Sequence, residues 1–185
     1  SIEHLKKLVK QFESQKEIAV DTETTSTDAL TARLVGISLC DRAGEAFYIP
    51  LGHSVDNDQC LPFDDSLRIL KPLLENEKVQ KIGQNIKYDW QVFHQYGIDL
   101  RPMSFDTMIA SYALDPGNRQ HDLDAQALRH FDYRMQPITD LIGSGKNQKT
   151  FDSVPVDKAT FYAAEDADFT FRLRGKLAPK IDELG

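Results

Sequence analysis

Leu5, Leu8, Val9 and Phe12 recur at three- and four-residue spacing, which predicts an amphipathic helix over residues Ile2–Ser14. The period then shortens. Glu17 to Glu23 reads as a strand, with Ile18 and Val20 on one side and Asp21 and Glu23 on the other, followed by a Thr/Ser/Asp-rich loop. Leu34–Cys40 and Ala46–Pro50 are β-rich runs on either side of Asp41-Arg42-Ala43-Gly44, a good hairpin turn, so three consecutive antiparallel strands are expected. Leu51 to Asp65 is polar and reads as a surface loop. After it the pattern predicts a helix over Ser66–Glu75, a short strand over Lys78–Gly83 and a helix over Asn85–Tyr96. Further helices are expected near Asp106–Leu114, over Leu123–Phe131 and, after a loop from Gly143 to Pro155, over Val156–Leu177.

Three β-runs followed by alternating helices and strands predict an α/β domain with a mixed sheet, an antiparallel β-meander leading into parallel strands with helices on both faces. A chain of 185 residues fits one domain. No apolar run approaches the roughly 20 residues that a membrane helix needs. No basic-then-apolar leader precedes the first helix, so a cytoplasmic setting is expected. Cys40 and Cys60 have no metal or redox spacing and read as idle thiols. A start at Ser1 and an end just after a helical stretch fit a domain excised from a longer chain, although tag removal would look the same.

A net charge of −7 argues against a nucleic-acid partner on composition alone, since phosphate contacts call for a basic patch. Two circumstances would lift that objection. Bound divalent cations would reverse the sign of the field where a phosphate sits, or a neighbouring domain would supply most of the grip.

Three acidic motifs carry the chemistry. In Asp21-Thr22-Glu23-Thr24, residues two apart share a strand face and present two carboxylates together, as a solvated strand end or as a pair that needs a cation between them. In Gly83-Gln84-Asn85-Ile86-Lys87-Tyr88-Asp89, at a strand-to-helix junction, Asn85 and Asp89 would share a helical face. Asn85 would also serve as an N-cap, and an acid in the first turn suits the helix dipole. In Tyr162-Ala163-Ala164-Glu165-Asp166-Ala167-Asp168, Tyr162 and Asp166 would project together, and the three alanines would let the helix approach the sheet.

Taken in order, Asp-x-Glu, Asn-x-Lys-Tyr-Asp and Tyr-x-x-x-Asp resemble the DEDD exonuclease superfamily in its tyrosine branch. The histidine branch has His five residues before its last Asp, where this chain has Phe161. With the Leu114-Asp115-Pro116-Gly117 turn and Asp122-Leu123, the resemblance extends over nearly the whole chain to the proofreading 3′→5′ exonuclease domains of family A bacterial polymerases, which have a ribonuclease H-like fold.

The resemblance implies a two-metal site of Mg²⁺ or Mn²⁺ held by Asp21, Glu23, Asp89 and Asp166, with Tyr162 orienting the water or the scissile phosphate. It also implies that Gln84 and Asn85 hold terminal nucleotides of a single-stranded DNA 3′ end. Thr27 stands where the family often has a wedging Leu, and Ile138 where it has a stacking Phe. A monomeric, nucleoid-associated domain attached to a polymerase domain of the same parent chain is expected. An RNA exonuclease resembling ribonuclease D and a catalytically silent scaffold are the alternatives. Gly143-Ser144-Gly145-Lys146 is no phosphate loop, because Asp140 and Asn147 stand where that motif needs Gly and Ser/Thr. Lys146 and Lys149 are left as backbone contacts. His4, His53, His94, His121 and His130 form no ligand spacing, and Trp90 and Phe93 read as core.

Overall fold

The computed structural model describes residues 1–184. Helix α1 (Ile2–Glu13) is capped by the Ser1 side chain and leads into three strands, β1 (Glu17–Thr24), β2 (Leu34–Arg42) and β3 (Glu45–Pro50). Helix α2 (Phe63–Leu74), strand β4 (Gln80–Gly83) and helix α3 (Ile86–Gln95) follow. Strand β5 (Met103–Asp106) runs directly into α4 (Thr107–Leu114), and α5 (Leu123–Phe131), the short α6 (Ile138–Ile142) and the long α7 (Val156–Leu184) complete the chain.

The sheet order is β3-β2-β1-β4-β5. The β1–β2 and β2–β3 pairs are antiparallel, while β4 and β5 add in parallel, which is the mixed sheet expected from the pattern. Because β1 lies in the middle, both its faces are covered. Ile18 and Val20 pack with Leu5, Val9 and Phe12 of α1, with the leucines of α2 and with Phe93 of α3. On the other face Ala19 meets Cys40, Ile82 and Ala167, and Ala163 and Ala167 of α7 are fully buried. The small side chains on α7 let it settle against the sheet, as their spacing predicts.

Several boundaries differ from the pattern. Helix α2 begins three residues early, at Phe63 directly after Pro62, with Asp64 and Asp65 in its first turn. The hairpin turn shrinks to Ala43-Gly44, with Gly44 at φ +86°, because pairing extends to Arg42 and Glu45. The last helix continues past Leu177. Strand β5 and helix α6 have four and five residues, too few to show a period. Three glycines are required by contact, among them Gly52, where a Cβ would lie 2.6 Å from the Leu34 carbonyl oxygen. A Cβ on Gly36 would lie 2.1 Å from the Tyr48 hydroxyl, and one on Gly83 would lie 2.6 Å from Cβ of Ile86 at the corner between β4 and α3.

Candidate active site

Parallel pairing between β1 and β4 ends at Ala19–Ile82, and β4 itself ends at Gly83. Beyond that point β1 projects past its parallel neighbour, carrying Asp21 and Glu23 toward α7. Helix α7 brings Asp166 to the same place, so ligand atoms of Asp21, Glu23 and Asp166 all lie within 4.8 Å of one another. Glu23 is buried and its Oε1 has no hydrogen-bond partner among the described residues. An orphaned carboxylate oxygen beside two other carboxylates is unfavourable without a cation, and an all-oxygen donor set suits a hard divalent ion. The residues therefore fit such an ion.

Electrostatics agree with the geometry. Burial pushes the Asp21 carboxyl up to about 6, against the N–H bond from Thr22 that lowers it. Burial and then the charges of Asp21, Asp166 and Asp89 hold Glu23 well above the ordinary carboxylate range. Asp166 is raised by burial and then by Asp21. Tyr162, one turn before Asp166, is pushed up by burial and then by the charges of Asp166, Glu23 and Asp21. Its phenol stays protonated at any working pH, so it can donate a hydrogen bond and cannot serve as a base.

Asp89 stands apart from the other three. It is 2% exposed on α3, and its Oδ1 accepts from the backbone N–H of Thr22 at 2.9 Å and from the Thr22 hydroxyl at 2.6 Å. Its carboxyl is raised by burial and then by Asp21, so it feels the cluster without joining it.

The remaining site residues separate into those on a cleft and those off it. A cleft of about 690 Å³ starts at Glu23 and is lined by Thr27, Asn85, Ile138 and Lys149 among others. Gln84 is not on it. Its amide donates to the His121 carbonyl at 2.8 Å, and its Oε1 accepts from Thr107 and Gln126, so its polar atoms are engaged within the fold. Asn85 also differs from expectation. It has φ 58°, makes no side-chain cap and precedes the helix, so it does not share a helical face with Asp89. Capping falls to Asp106, whose carboxylate accepts from Asn85 N–H at 3.1 Å and from Ile86 N–H at 3.0 Å.

The sequence reading missed Thr22, Asp106, Tyr88 and Tyr48. Tyr88 bonds Thr24 and the Ser26 carbonyl, and so fixes the loop that follows β1. Tyr48 fills the space over Gly36 and pairs with His53 Nε2 at 2.8 Å. His53 Nδ1 lies 2.9 Å from the Val154 carbonyl, which makes this histidine a satisfied core residue. The spacing of Thr22 inside Asp-x-Glu was visible. The partners of Asp106 and Tyr48 lie far along the chain and left no local signal. Trp90 is only half-buried and donates to Asp99, whereas Phe93 is core as expected.

A mixed sheet with an acidic cluster at the end of its central strand defines a nuclease of ribonuclease H-like architecture. The profile of the 3′-5′ exonuclease family matches residues 1–182, and the chain belongs to that family, whose members depend on divalent cations. It is 43% identical over 179 residues to DNA polymerase I of Pseudomonas aeruginosa, aligning 95% of this chain with 20% of that protein. It is also 43% identical over 188 residues to DNA polymerase I of Rhizobium leguminosarum, with 91% of this chain and 18% of that protein aligned. The chain thus spans about a fifth of the length of these relatives. Ribonuclease D of Escherichia coli, an exoribonuclease, shares the fold at a TM-score of 0.71 and 17% identity, over 98% of this chain and 44% of that one. No helix among the described residues is long and apolar enough to cross a membrane.

Proposed function

We propose that this domain removes nucleotides one at a time from the 3′ end of single-stranded or frayed DNA, as the proofreading part of a longer bacterial polymerase chain. The observation that carries the reading is the Asp21–Glu23–Asp166 cluster, with its orphaned Glu23 oxygen, joined through Glu23 to a cleft of about 690 Å³. Water adds to the scissile phosphorus, the P–O3′ bond breaks, and a nucleoside 5′-monophosphate leaves behind a new 3′-hydroxyl.

Asp21, Glu23 and Asp166 would hold Mg²⁺ or Mn²⁺, with Asp89 supporting a second ion. Such ions supply Lewis acidity that makes water nucleophilic near neutral pH and offsets charge on the leaving oxygen. The chain's own groups position the reactants. Tyr162, kept protonated, donates a hydrogen bond to the water or to the phosphate. Asn85, Thr27 and Ile138 line the path of the terminal nucleotides, and Lys149 adds positive charge along it. Gln84 acts indirectly by bracing the junction before α3. The high identity to DNA polymerase I favours DNA over the RNA suggested by the ribonuclease D fold.

Degradation of 5′-labelled single-stranded DNA and of RNA of the same sequence tests this, with Mg²⁺, Mn²⁺ or chelator and beside Asp21→Ala. A metal-dependent ladder shortening from the 3′ end of DNA, absent in the variant, is expected. Preferential loss of RNA would move the assignment to an exoribonuclease, and no degradation with either metal would leave a scaffold.

A further inference from the structure

We infer that Thr22, the residue between the two acids of the first motif, is a positioning residue that sets the fourth carboxylate for cation binding. The inference rests on the reading of Asp89 as part of the metal site. Thr22 belongs to the stretch of β1 that outruns β4. Its backbone N–H therefore has no ladder partner on that edge, and the Asp89 carboxylate takes the place of the missing strand. The hydroxyl of the same residue donates to the same oxygen, at 2.6 Å. No other residue among those described donates to this carboxylate.

Two donors converging on Oδ1 fix the side-chain torsion of Asp89, and Oδ2 accepts from no other residue among those described. They also hold Asp89 outside the cluster of Asp21, Glu23 and Asp166. Without the hydroxyl, one N–H bond remains and the carboxylate is free to swing about it. Thr22 is 7% exposed, and its side chain lies on the α3 side of the strand, opposite Asp21 and Glu23. Three consecutive residues thus serve both sides of the sheet, two as acids toward α7 and one as a clamp toward α3. A groove beside α7, about 530 Å³ and bordered by Phe161, Tyr133 and Arg172, has nothing to indicate what would fill it.

Thr22→Val keeps the size and β-branched shape of the side chain, so the strand and its packing survive, and Thr22→Ser restores the donor. Mn²⁺ binding to the 185-residue chain, followed calorimetrically, reads the clamp without relying on turnover. The binding step lost in Asp89→Ala should weaken roughly ten- to a hundred-fold in Thr22→Val, as is typical for a partner of a metal ligand, and recover to within about two-fold in Thr22→Ser. Thr22→Val combined with Asp89→Ala should bind Mn²⁺ as Asp89→Ala alone does.

The inference is overturned if Thr22→Val leaves that step unchanged, if it weakens binding further in the Asp89→Ala background, or if Asp89→Ala removes no step at all. DNA degradation is measured in parallel. Its absence from a chain with the expected Mn²⁺ pattern would defeat the exonuclease assignment while leaving the clamp in place.

Discussion

In the absence of metal the carboxylate cluster should destabilise the fold, and removing one charge should make the protein more stable. Asp21 is the clearest case. Its carboxyl sits at about 6 in the folded chain against an ordinary 3.8. The folded state thus holds this proton more tightly than the unfolded state. Between pH 4 and 6 the unfolded chain binds fewer protons, so this group's contribution is neutral below pH 4, grows unfavourable from 4 to 6 and is fully unfavourable above 6. The difference corresponds to ~3 kcal/mol at pH 8 by the usual conversion. Asp21 is only partly shielded from water, and screening reduces the figure to about 2 kcal/mol.

Asp21→Asn abolishes the charge at almost constant volume. In chelator at pH 8 the variant should melt ~4–8 °C above the wild type, by the size scaling for a chain of this length. At pH 4 the two should melt together. Mg²⁺ at a hundred-fold excess over its Kd should then stabilise the wild type by ~2.7 kcal/mol and the variant by less, so that their order narrows or reverses. Calorimetry or circular dichroism across pH 4–8, with chelator and with Mg²⁺, checks every part of this. A variant less stable than the wild type in chelator at pH 8 would refute the reasoning, since burial of the Asp21 charge would then not be costing stability.

Tyr162→Phe should retain part of the turnover, and the wild-type pH–rate profile should show no phenol limb below pH 10, because burial and three nearby acids keep the hydroxyl protonated. Ile138→Phe should tighten single-strand binding by about 1–3 kcal/mol, the usual worth of an aromatic stacking on a base, with little change in kcat; unchanged affinity by fluorescence anisotropy would remove Ile138 from the nucleotide path. Gly36→Ala should lose at least ~1–3 kcal/mol in a denaturant titration, because the added methyl would fall 2.1 Å from the Tyr48 hydroxyl, and the pairing of Tyr48 with His53 resists its moving away.

Much of the fold was legible because its long elements keep a clean period. Strand β1 and helices α1 and α5 lie where the spacing of Ile18, Val20, Leu5, Phe12 and Leu123 puts them. The parts that escaped are short or depend on distant partners. Four residues of β5 and five of α6 cannot display a period. The start of α2 at Phe63 was masked by Pro62, which reads as a loop residue and stands at the N-cap immediately before the first turn.

The site divides in the same way. Asp21 with Glu23, and Tyr162 with Asp166, were legible because strand alternation and the four-residue helical repeat are local rules, and the alanines of α7 signalled its close approach to the sheet. The partners of Gln84 and Asn85 were not legible, because they have no sequence proximity: the His121 carbonyl, 37 residues on, takes the Gln84 amide, and the Asp106 carboxylate, 21 residues on, takes the Asn85 N–H.

Asp106 carries a consequence of its own. Its carboxylate receives the N–H groups of Asn85 and Ile86 before α3, and those of Met108 and Ile109 at the start of α4. The positive ends of two helix dipoles therefore converge on one negative charge. The corner after β4 and the corner after β5 are tied together through this one side chain, with Asp89 three residues downstream of Ile86. The opposite wall of the cleft is built from α6, with Ile138, and from the loop after it, where Gly143 and Gly145 have positive φ and Lys149 lines the cleft. In mechanical terms the cleft is asymmetric: one wall is braced at two helix starts by a single carboxylate and carries the fourth acid, and the other rests on a short helix and a glycine-bearing loop.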